Sequence, residues 1–180
     1  KKFYVGRQRD ALSFFATVGH SVDYRYTDEI IRNTNTGGTI YKDLNGHKST
    51  TNISQLALAN VDYDMHNRHH LSYNFMMVHS NVQSVGNYEG KDATFSDDYG
   101  NRQQVNDNLL LVNQIMTNWG LTDRLSVDAG ASYNMVRGYE PDRRINQITR
   151  NETGYGLVGG NTQFRTFSSL TENDLNLRAG

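Results

Sequence analysis

Apolar and polar residues alternate along most of this chain with the period of two that β-strands produce. In residues 11–27 the even positions are mostly apolar and the odd positions mostly polar. The alternation is sharpest from Leu125 to Met135, where every second residue is apolar. It is weakest near Leu109 to Val112, which is apolar on both parities. The pattern predicts strands with two different faces.

Short polar turns and long segments rich in Gly, Asn and Asp separate the predicted strands. The strands are expected at about 1–6, 11–27, 52–65, 70–82, 106–119, 124–137, 162–170 and 175–180. Short turns are expected at 7–10, 66–69, 120–124 and 171–174, and long loops at 28–51, 83–105 and 138–161. Tight turns at one end and long loops at the other are typical of outer-membrane barrels.

The charged residues inside the best-defined strands all fall on the polar parity. They are Asp23, Arg25, Asp62, Asp64 and Asp128. An Arg or Lys that faces lipid at the bilayer midplane costs about 2 to 4 kcal/mol, whereas positions that face the lumen of a barrel tolerate charge. The parity therefore predicts that these five side chains face a lumen.

The lengths of the strands and loops favour a membrane barrel over a soluble sheet. The better-defined strands run about 13 to 17 residues, whereas strands of soluble proteins are mostly about five or six residues long. Loops longer than about 12 to 15 residues are also uncommon in compact domains. We therefore predict an all-β fold of antiparallel, up-and-down transmembrane hairpins in the bacterial outer membrane. A soluble β-rich adhesin or glycan-binding module is the alternative, because half-buried soluble sheets also alternate.

Composition excludes several other classes of protein. The chain has 180 residues, of which 36% are hydrophobic, and no apolar run approaches the roughly 20 residues of a transmembrane helix. The formal net charge of -1 offers no basic patch for nucleic acid. Zero cysteines exclude disulfides and thiolate metal sites. No cofactor is expected, and no motif indicates an enzyme.

The terminal strands predict that these residues are an internal piece of a larger barrel. Residues 1–6 and 175–180 each offer about six residues, where a tilted strand needs roughly nine to eleven to cross a bilayer. Residues 1–6 run straight into polar residues, without the apolar core of a signal peptide.

Two segments resemble the barrel portion of TonB-dependent outer-membrane receptors, especially those of Bacteroidota. They are residues 121–133, LTDRLSVDAGASY, and residues 171–177, TENDLNL. The resemblance implies a barrel of about 22 strands with an N-terminal plug, importing a nutrient with energy delivered by TonB. It also implies outer-membrane lipid, lipopolysaccharide, TonB and a surface lipoprotein as partners. The alternative is a structural or secretion-associated barrel that transports no nutrient.

Aromatic residues in the predicted surface loops are the candidates for ligand contact. They are Tyr88, Phe95, Tyr99, Tyr139 and Tyr155. Loops of membrane receptors meet ligand first, and aromatic rings stack on sugars or peptides. Packing of one loop on another is the competing explanation.

Two polar clusters contain groups that bind metals in other proteins. His66, His69 and His70 carry imidazoles, which ligate zinc or nickel, and Asp97, Asp98 and Asn101 carry oxygens of the kind calcium takes. Neither cluster has the spacing of a known ligand motif, and solvated polar turns and loops explain both. We therefore expect no metal site.

Overall fold

The computed structural model describes residues 2–5, 10–66, 68–92, 95–122, 124–157 and 163–180, which form one antiparallel sheet. The strands are β1 (Lys2–Val5), β2 (Asp10–Thr34), β3 (Ile40–Met65), β4 (His69–Asp92), β5 (Phe95–Thr122), β6 (Leu125–Asn151), β7 (Gly154–Leu157) and β8 (Gln163–Ala179). Strands β1 to β6 pair in chain order, and β6 also pairs with β7 and β8. The all-β, up-and-down antiparallel arrangement is confirmed, and the sheet is open.

The strands are much longer than the sequence pattern indicated. Strands β2 to β6 contain from 24 to 28 residues, so each spans roughly 80 to 90 Å. Most residues predicted as long loops belong to these strands, as the pairs Ile31↔Leu44 and Tyr88↔Gly100 show. Alternating hydrophobicity marks only the part of a strand that has one apolar face. The backbone ladder continues through polar sequence because its hydrogen bonds need no apolar side chains.

The predicted turns have different outcomes. The turns expected at 66–69 and 120–124 lie where β3 meets β4 and where β5 meets β6. The turn expected at 171–174 is absent, because these residues lie inside β8 and Thr171 pairs with Arg137. A polar run marks a turn reliably only where it interrupts a strand with a buried face. β8 is exposed along nearly its whole length, so its polar residues did not mark a turn. Residues 7–9 lie outside the described residues.

Strand register assigns each side chain to one of two faces, because directly paired residues of an antiparallel sheet point to the same side. The front face contains the row Phe14, Val61, Tyr73, Ile115, Ala131 and Leu177. The back face contains the row Ser13, Asp62, Ser72, Met116, Gly130 and Arg178. We call the end where β3 meets β4 and β5 meets β6 proximal, and the end with the turn at 35–39 distal.

The sheet is one layer thick and has almost no interior. Among the described residues, the buried apolar side chains are Ala11 and Leu44. Large apolar side chains are exposed instead, such as Val18 at 83% and Leu177 at 75%. Burial of apolar surface is the main favourable term in folding, and this sheet leaves many of its large apolar side chains exposed.

An ion-pair cluster joins β8 to the distal half of β6. Arg165 Nε and Nη2 donate to the Asp142 carboxylate at 2.9 and 3.0 Å, and Arg144 Nε donates to it at 2.6 Å. These hydrogen bonds, first from Arg165 and then from Arg144, lower the pKa of Asp142 from 3.8 to about 2. The cluster lies where the β6–β8 register shifts between Glu140 and Arg143.

We expect the pairing of β8 to weaken in acid. A carboxyl group with a lowered pKa stabilises the folded state above its unfolded pKa, and this stabilisation is lost as pH falls through the folded value. Amide hydrogen exchange near Phe164 and Thr166 should therefore accelerate between pH 3.8 and pH 2 in the wild-type protein. In the Asp142→Asn variant, exchange at these amides should be fast already at pH 5, a test value about one unit above the ordinary carboxyl pKa. Equal acid sensitivity of the two proteins would exclude Asp142 as the cause.

Candidate functional site

The proximal half of the front face is a continuous apolar surface, which we call the apolar band. It consists of four rows across β2 to β6 and β8: Leu12, Tyr63, Leu71, Thr117, Ala129 and Ala179; Phe14, Val61, Tyr73, Ile115, Ala131 and Leu177; Ala16, Ala59, Phe75, Asn113, Tyr133 and Leu175; and Val18, Ala57, Met77, Leu111, Met135 and Asn173. None of these residues is charged. The band covers roughly 20 Å along each strand, and Leu109, Trp119 and Val127 lengthen it on β5 and β6.

Charged side chains lie on the front face immediately distal to the band. His79 Nε2 lies 2.9 Å from Asp107 Oδ2, and an Arg137 guanidinium nitrogen lies 3.5 Å from Asp107 Oδ1. Asn81 Nδ2 donates to the same carboxylate at 3.0 Å. This cluster gives the band a sharp distal limit.

Two asparagines inside the band have their polar groups paired with tyrosines. Tyr73 Oη donates to Asn113 Oδ1 at 2.9 Å, and Tyr133 Oη donates to Asn173 Oδ1 at 2.9 Å. Each pair joins neighbouring strands, β4 to β5 and β6 to β8. An unpaired polar group in an apolar medium costs about 2 to 7 kcal/mol, and each of these bonds satisfies one tyrosine hydroxyl and one amide oxygen.

Aromatic side chains lie beyond both ends of the band. Trp119 is 45% exposed at the proximal limit, one row below Thr117. Tyr24, Tyr26 and Tyr139 lie on the front face beyond the distal limit and are exposed. Tyr and Trp concentrate at membrane–water interfaces because each ring has an apolar body and a polar group.

All five predicted lumen charges lie on one face of the sheet, the back face. Asp62, Asp64 and Asp128 are near its proximal end, and Asp23 and Arg25 are further along β2. His70 Nδ1 lies 2.7 Å from Asp64 Oδ1, and Asn118 Nδ2 donates to Asp128 at 2.7 Å. An amide pair continues this polar region, since Asn60 Nδ2 donates to Asn74 Oδ1 at 2.9 Å.

The apolar residues that blurred the alternation form a patch on the back face. The patch comprises Leu56, Leu58, Met76, Val78, Leu110, Val112 and Val136, which are neighbours across β3 to β6. Leu109 and Leu111 alternate with Leu110 and Val112, so β5 contributes apolar side chains to both faces at this level. The apolar residues on both parities of β5 are therefore explained by the apolar band on one face and this four-strand patch on the other.

The aromatic candidates for ligand contact do not form one site. Tyr88, Tyr99, Tyr139 and Tyr155 lie in strands β4, β5, β6 and β7 rather than in loops. Tyr88 belongs to the back face, whereas Tyr99 and Tyr139 belong to the front face. Phe95 begins β5, and its side chain lies outside the described part of the structure. The loop assignment for these residues was wrong, because the backbone ladder of the strands continues through this polar sequence.

Tyr88 lies flat over glycines of its own and a neighbouring strand. A β-carbon on Gly46 of β3 or Gly86 of β4 would collide with its ring. The hydroxyl of Tyr88 donates to Glu29 Oε2 on β2 at 2.8 Å. Burial and this hydrogen bond raise the pKa of Tyr88 to about 12, so the phenol stays protonated.

Beside Tyr88 the distal back face contains a cavity of about 310 Å³. Five strands, β2 to β6, line it. Ile31, Leu44 and Ile145 provide aliphatic surface, and Lys42 and Arg102 provide positive charge. The sequence analysis named Tyr88 as a candidate for ligand contact and Asn101, which also lines the cavity, as a candidate calcium ligand. It missed the other lining residues, because they come together only through register over more than a hundred residues.

The three candidate histidine ligands do not converge. His66 is in the turn, with a φ of 55°, whereas His69 and His70 are consecutive residues of β4 and face opposite sides. The His69 ring packs 4.7 Å from the Trp119 ring. In the second cluster, Asn101 Nδ2 donates to Asn87 Oδ1 at 2.6 Å, and the side chains of Asp97 and Asp98 lie outside the described residues. Within the described residues, no three His, Cys, Asp or Glu side chains form a metal-binding group.

The fold and these surfaces define a single-layer antiparallel meander of long strands with one apolar and one mainly polar proximal face. The chain matches no protein-family model, and no curated protein is similar to it. In the described residues, no helix is long and apolar enough to cross a membrane.

Proposed function

We propose that this chain forms part of the wall of a bacterial outer-membrane β-barrel. The observation that carries the proposal is the apolar band: partly or fully exposed, without charge, and crossing six strands of a single-layer sheet. Outer-membrane barrels have an apolar outer belt about 25 Å tall with aromatic residues at both margins. In this proposal the front face meets lipid and lipopolysaccharide, and the back face with Asp62, Asp64 and Asp128 lines the lumen.

The edges of the sheet support closure by further strands. β1 pairs with β2 only through Asp10 to Ser13, and in the described residues no strand pairs with the rest of that edge or with the outer edge of β8. Unpaired backbone groups are not tolerated in lipid, which is why membrane sheets close into barrels. The proposed barrel therefore contains additional strands, about 22 in total if it is of the TonB-dependent kind.

Within this class we propose a receptor for nutrient uptake that depends on TonB. The resemblance of residues 121–133 to such receptors supports this choice, and this segment runs from the end of β5 into the start of β6. The strands also continue far beyond the apolar band, which would raise the distal hairpins above the membrane surface, where receptors capture ligands. A structural or secretion-associated barrel would share the wall and lack uptake.

The single tryptophan of the chain allows a direct test of membrane insertion. The intact protein is reconstituted into vesicles whose lipids carry bromine at one known depth, and Trp119 fluorescence is measured. We expect strong quenching, greatest when bromine lies near the headgroups, because Trp119 lies at the margin of the apolar band. If the barrel contains other tryptophans, the difference between wild type and Trp119→Phe isolates this signal.

A soluble protein would give a different result. Its Trp119 fluorescence would be insensitive to brominated lipid, and the protein would remain in solution without detergent. That outcome would reject the membrane proposal and favour the soluble β-rich module.

A further inference from the structure

We propose that the corner of the front face formed by the distal parts of β6 and β8 binds lipopolysaccharide through its phosphate groups. This inference rests on the proposed barrel, since it gives one lipid a defined place on the outer surface of the wall. Short turns of outer-membrane barrels face the periplasm and long hairpins face outward, so the distal end would lie at the outer leaflet. The phosphates of lipopolysaccharide lie there, above its acyl chains.

Among the described residues, three arginines give this corner its positive charge. Arg137 pairs with Leu109, one row beyond the apolar band, and Arg144 and Arg165 pair with each other three rows further along. The register from β2 to β8 places all three on the front face. Like charges directly opposite each other destabilise a sheet, so the two paired arginines favour an anion beside them.

One carboxylate compensates only part of this charge. Asp142 is the carboxylate that both Arg144 Nε and Arg165 Nε contact, at 2.6 and 2.9 Å. The side chains of the two arginines are 49% and 58% exposed, whereas that of Asp142 is 21% exposed. The outermost groups of this ion-pair cluster are therefore cationic. A guanidinium has five N–H donors, so each arginine retains donors for a phosphate.

Arg137 has a similar position closer to the apolar band. Its partner Asp107 lies 2.9 Å from His79 Nε2 and accepts from Asn81 at 3.0 Å, while the contact with Arg137 is longer, at 3.5 Å. The side chain of Arg137 is 49% exposed and that of Asp107 is 20% exposed. Thr171 pairs with Arg137, and a hydroxyl can donate to a phosphate oxygen. Arg137 is thus placed for a phosphate just above acyl chains on the band.

The distal corner on β2 and β3 has the opposite balance of charge. Asp28 lies 2.7 Å from His47 Nδ1, and Arg32 Nε donates to Asp43 at 2.9 Å. One arginine meets two carboxylates there, whereas three arginines meet two carboxylates on β5, β6 and β8. Phosphate should therefore select the corner with β6 and β8. Arg32, which is 57% exposed and also ion-paired, provides a matched control.

The test is titration of the intact protein in detergent micelles with three probes: lipid A, which is the acylated and phosphorylated part of lipopolysaccharide, dephosphorylated lipid A, and inorganic phosphate. We expect lipid A to bind, dephosphorylated lipid A to bind about tenfold more weakly because charge-assisted hydrogen bonds are lost, and inorganic phosphate not to bind. Arg137→Gln and Arg144→Gln should each weaken lipid A about tenfold. Arg137→Lys should retain most of the affinity, and Arg32→Gln should retain all of it.

Circular dichroism of each variant shows whether the sheet is intact. Equal binding of the two lipid forms, or unchanged binding in folded Arg137→Gln and Arg144→Gln, would overturn the site. Inorganic phosphate bound as tightly as lipid A would assign the corner to a free anion and overturn the choice of lipid. Trp119 quenching by brominated lipid, measured on the same preparation, separates the two proposals. Quenching without selection for phosphate would reject this site alone, and absence of quenching would reject the barrel itself.

Discussion

Ala16→Arg is expected to destabilise the membrane-inserted protein by about 2 to 4 kcal/mol, the cost of a cationic side chain facing lipid near the bilayer midplane. Ala16 lies in the third row of the apolar band, between Phe14 and Val18, and it is exposed. In water an exposed alanine-to-arginine change on a strand would alter stability by only about 0.5 kcal/mol or less. The size of the effect therefore reports what surrounds the front face.

Thr17→Arg is the matched control for this substitution. Thr17 is the next residue of β2, is also exposed, and points to the back face, which the proposed barrel turns toward its lumen. The free energy of unfolding of both variants is measured by denaturant titration in lipid vesicles. Equal and small effects would contradict lipid contact at the front face, and equal and large effects would indicate that both faces are covered.

Gly46→Ala is expected to destabilise the distal half of the sheet by about 1 to 3 kcal/mol, the usual cost of overpacking. The new methyl group would collide with the Tyr88 ring, and it would lie 2.9 Å from the carbonyl oxygen of Asn87. Elsewhere a Gly→Ala change in a compatible backbone conformation stabilises by about 0.4 to 1 kcal/mol, because the unfolded chain loses freedom. Gly19→Ala, which has room for the methyl group, should therefore stabilise the protein.

A double-mutant cycle tests whether the collision with Tyr88 causes the destabilisation by Gly46→Ala. Gly46→Ala combined with Tyr88→Ala should be less destabilising than the sum of the single variants by about 0.5 to 3 kcal/mol, because removal of the ring removes the collision. Denaturant titration gives the four free energies, and hydrogen exchange at amides of the distal strands locates the effect. Additive effects would show that the ring is not what the methyl group displaces.

Strand type and the separation of charge from apolar surface follow from local sequence. A period of two in residues 125–135 requires an extended backbone, since successive strand side chains point to opposite faces. The same parity brought Asp62, Asp64 and Asp128 to one face, as their register shows. The tight proximal turns were predictable for a related reason, because a polar interruption between two alternating segments marks their connection.

Strand length was not predictable from the alternation. Residues 28–51 contain few large apolar residues, yet Glu29↔Gly46 and Ile31↔Leu44 continue the β2–β3 ladder far beyond the apolar band. The stabilising contacts there are pairwise and long-range, such as the Tyr88 hydroxyl with Glu29 and the ion pair of Arg32 with Asp43 at 2.9 Å. A local hydrophobic pattern carries no information on such partners.

The sequence by itself determined the antiparallel β-class, the two-sided strands and the uncharged parity that becomes the apolar band, because each depends on neighbouring residues and a fixed backbone period. Tertiary structure alone decided the register. Register places Tyr88 over Gly46, gives Asn113 and Asn173 their tyrosine partners, and joins Leu44, Arg102 and Ile145 around one cavity. These contacts connect residues that are distant in the chain, and their geometry arises only when the strands are aligned.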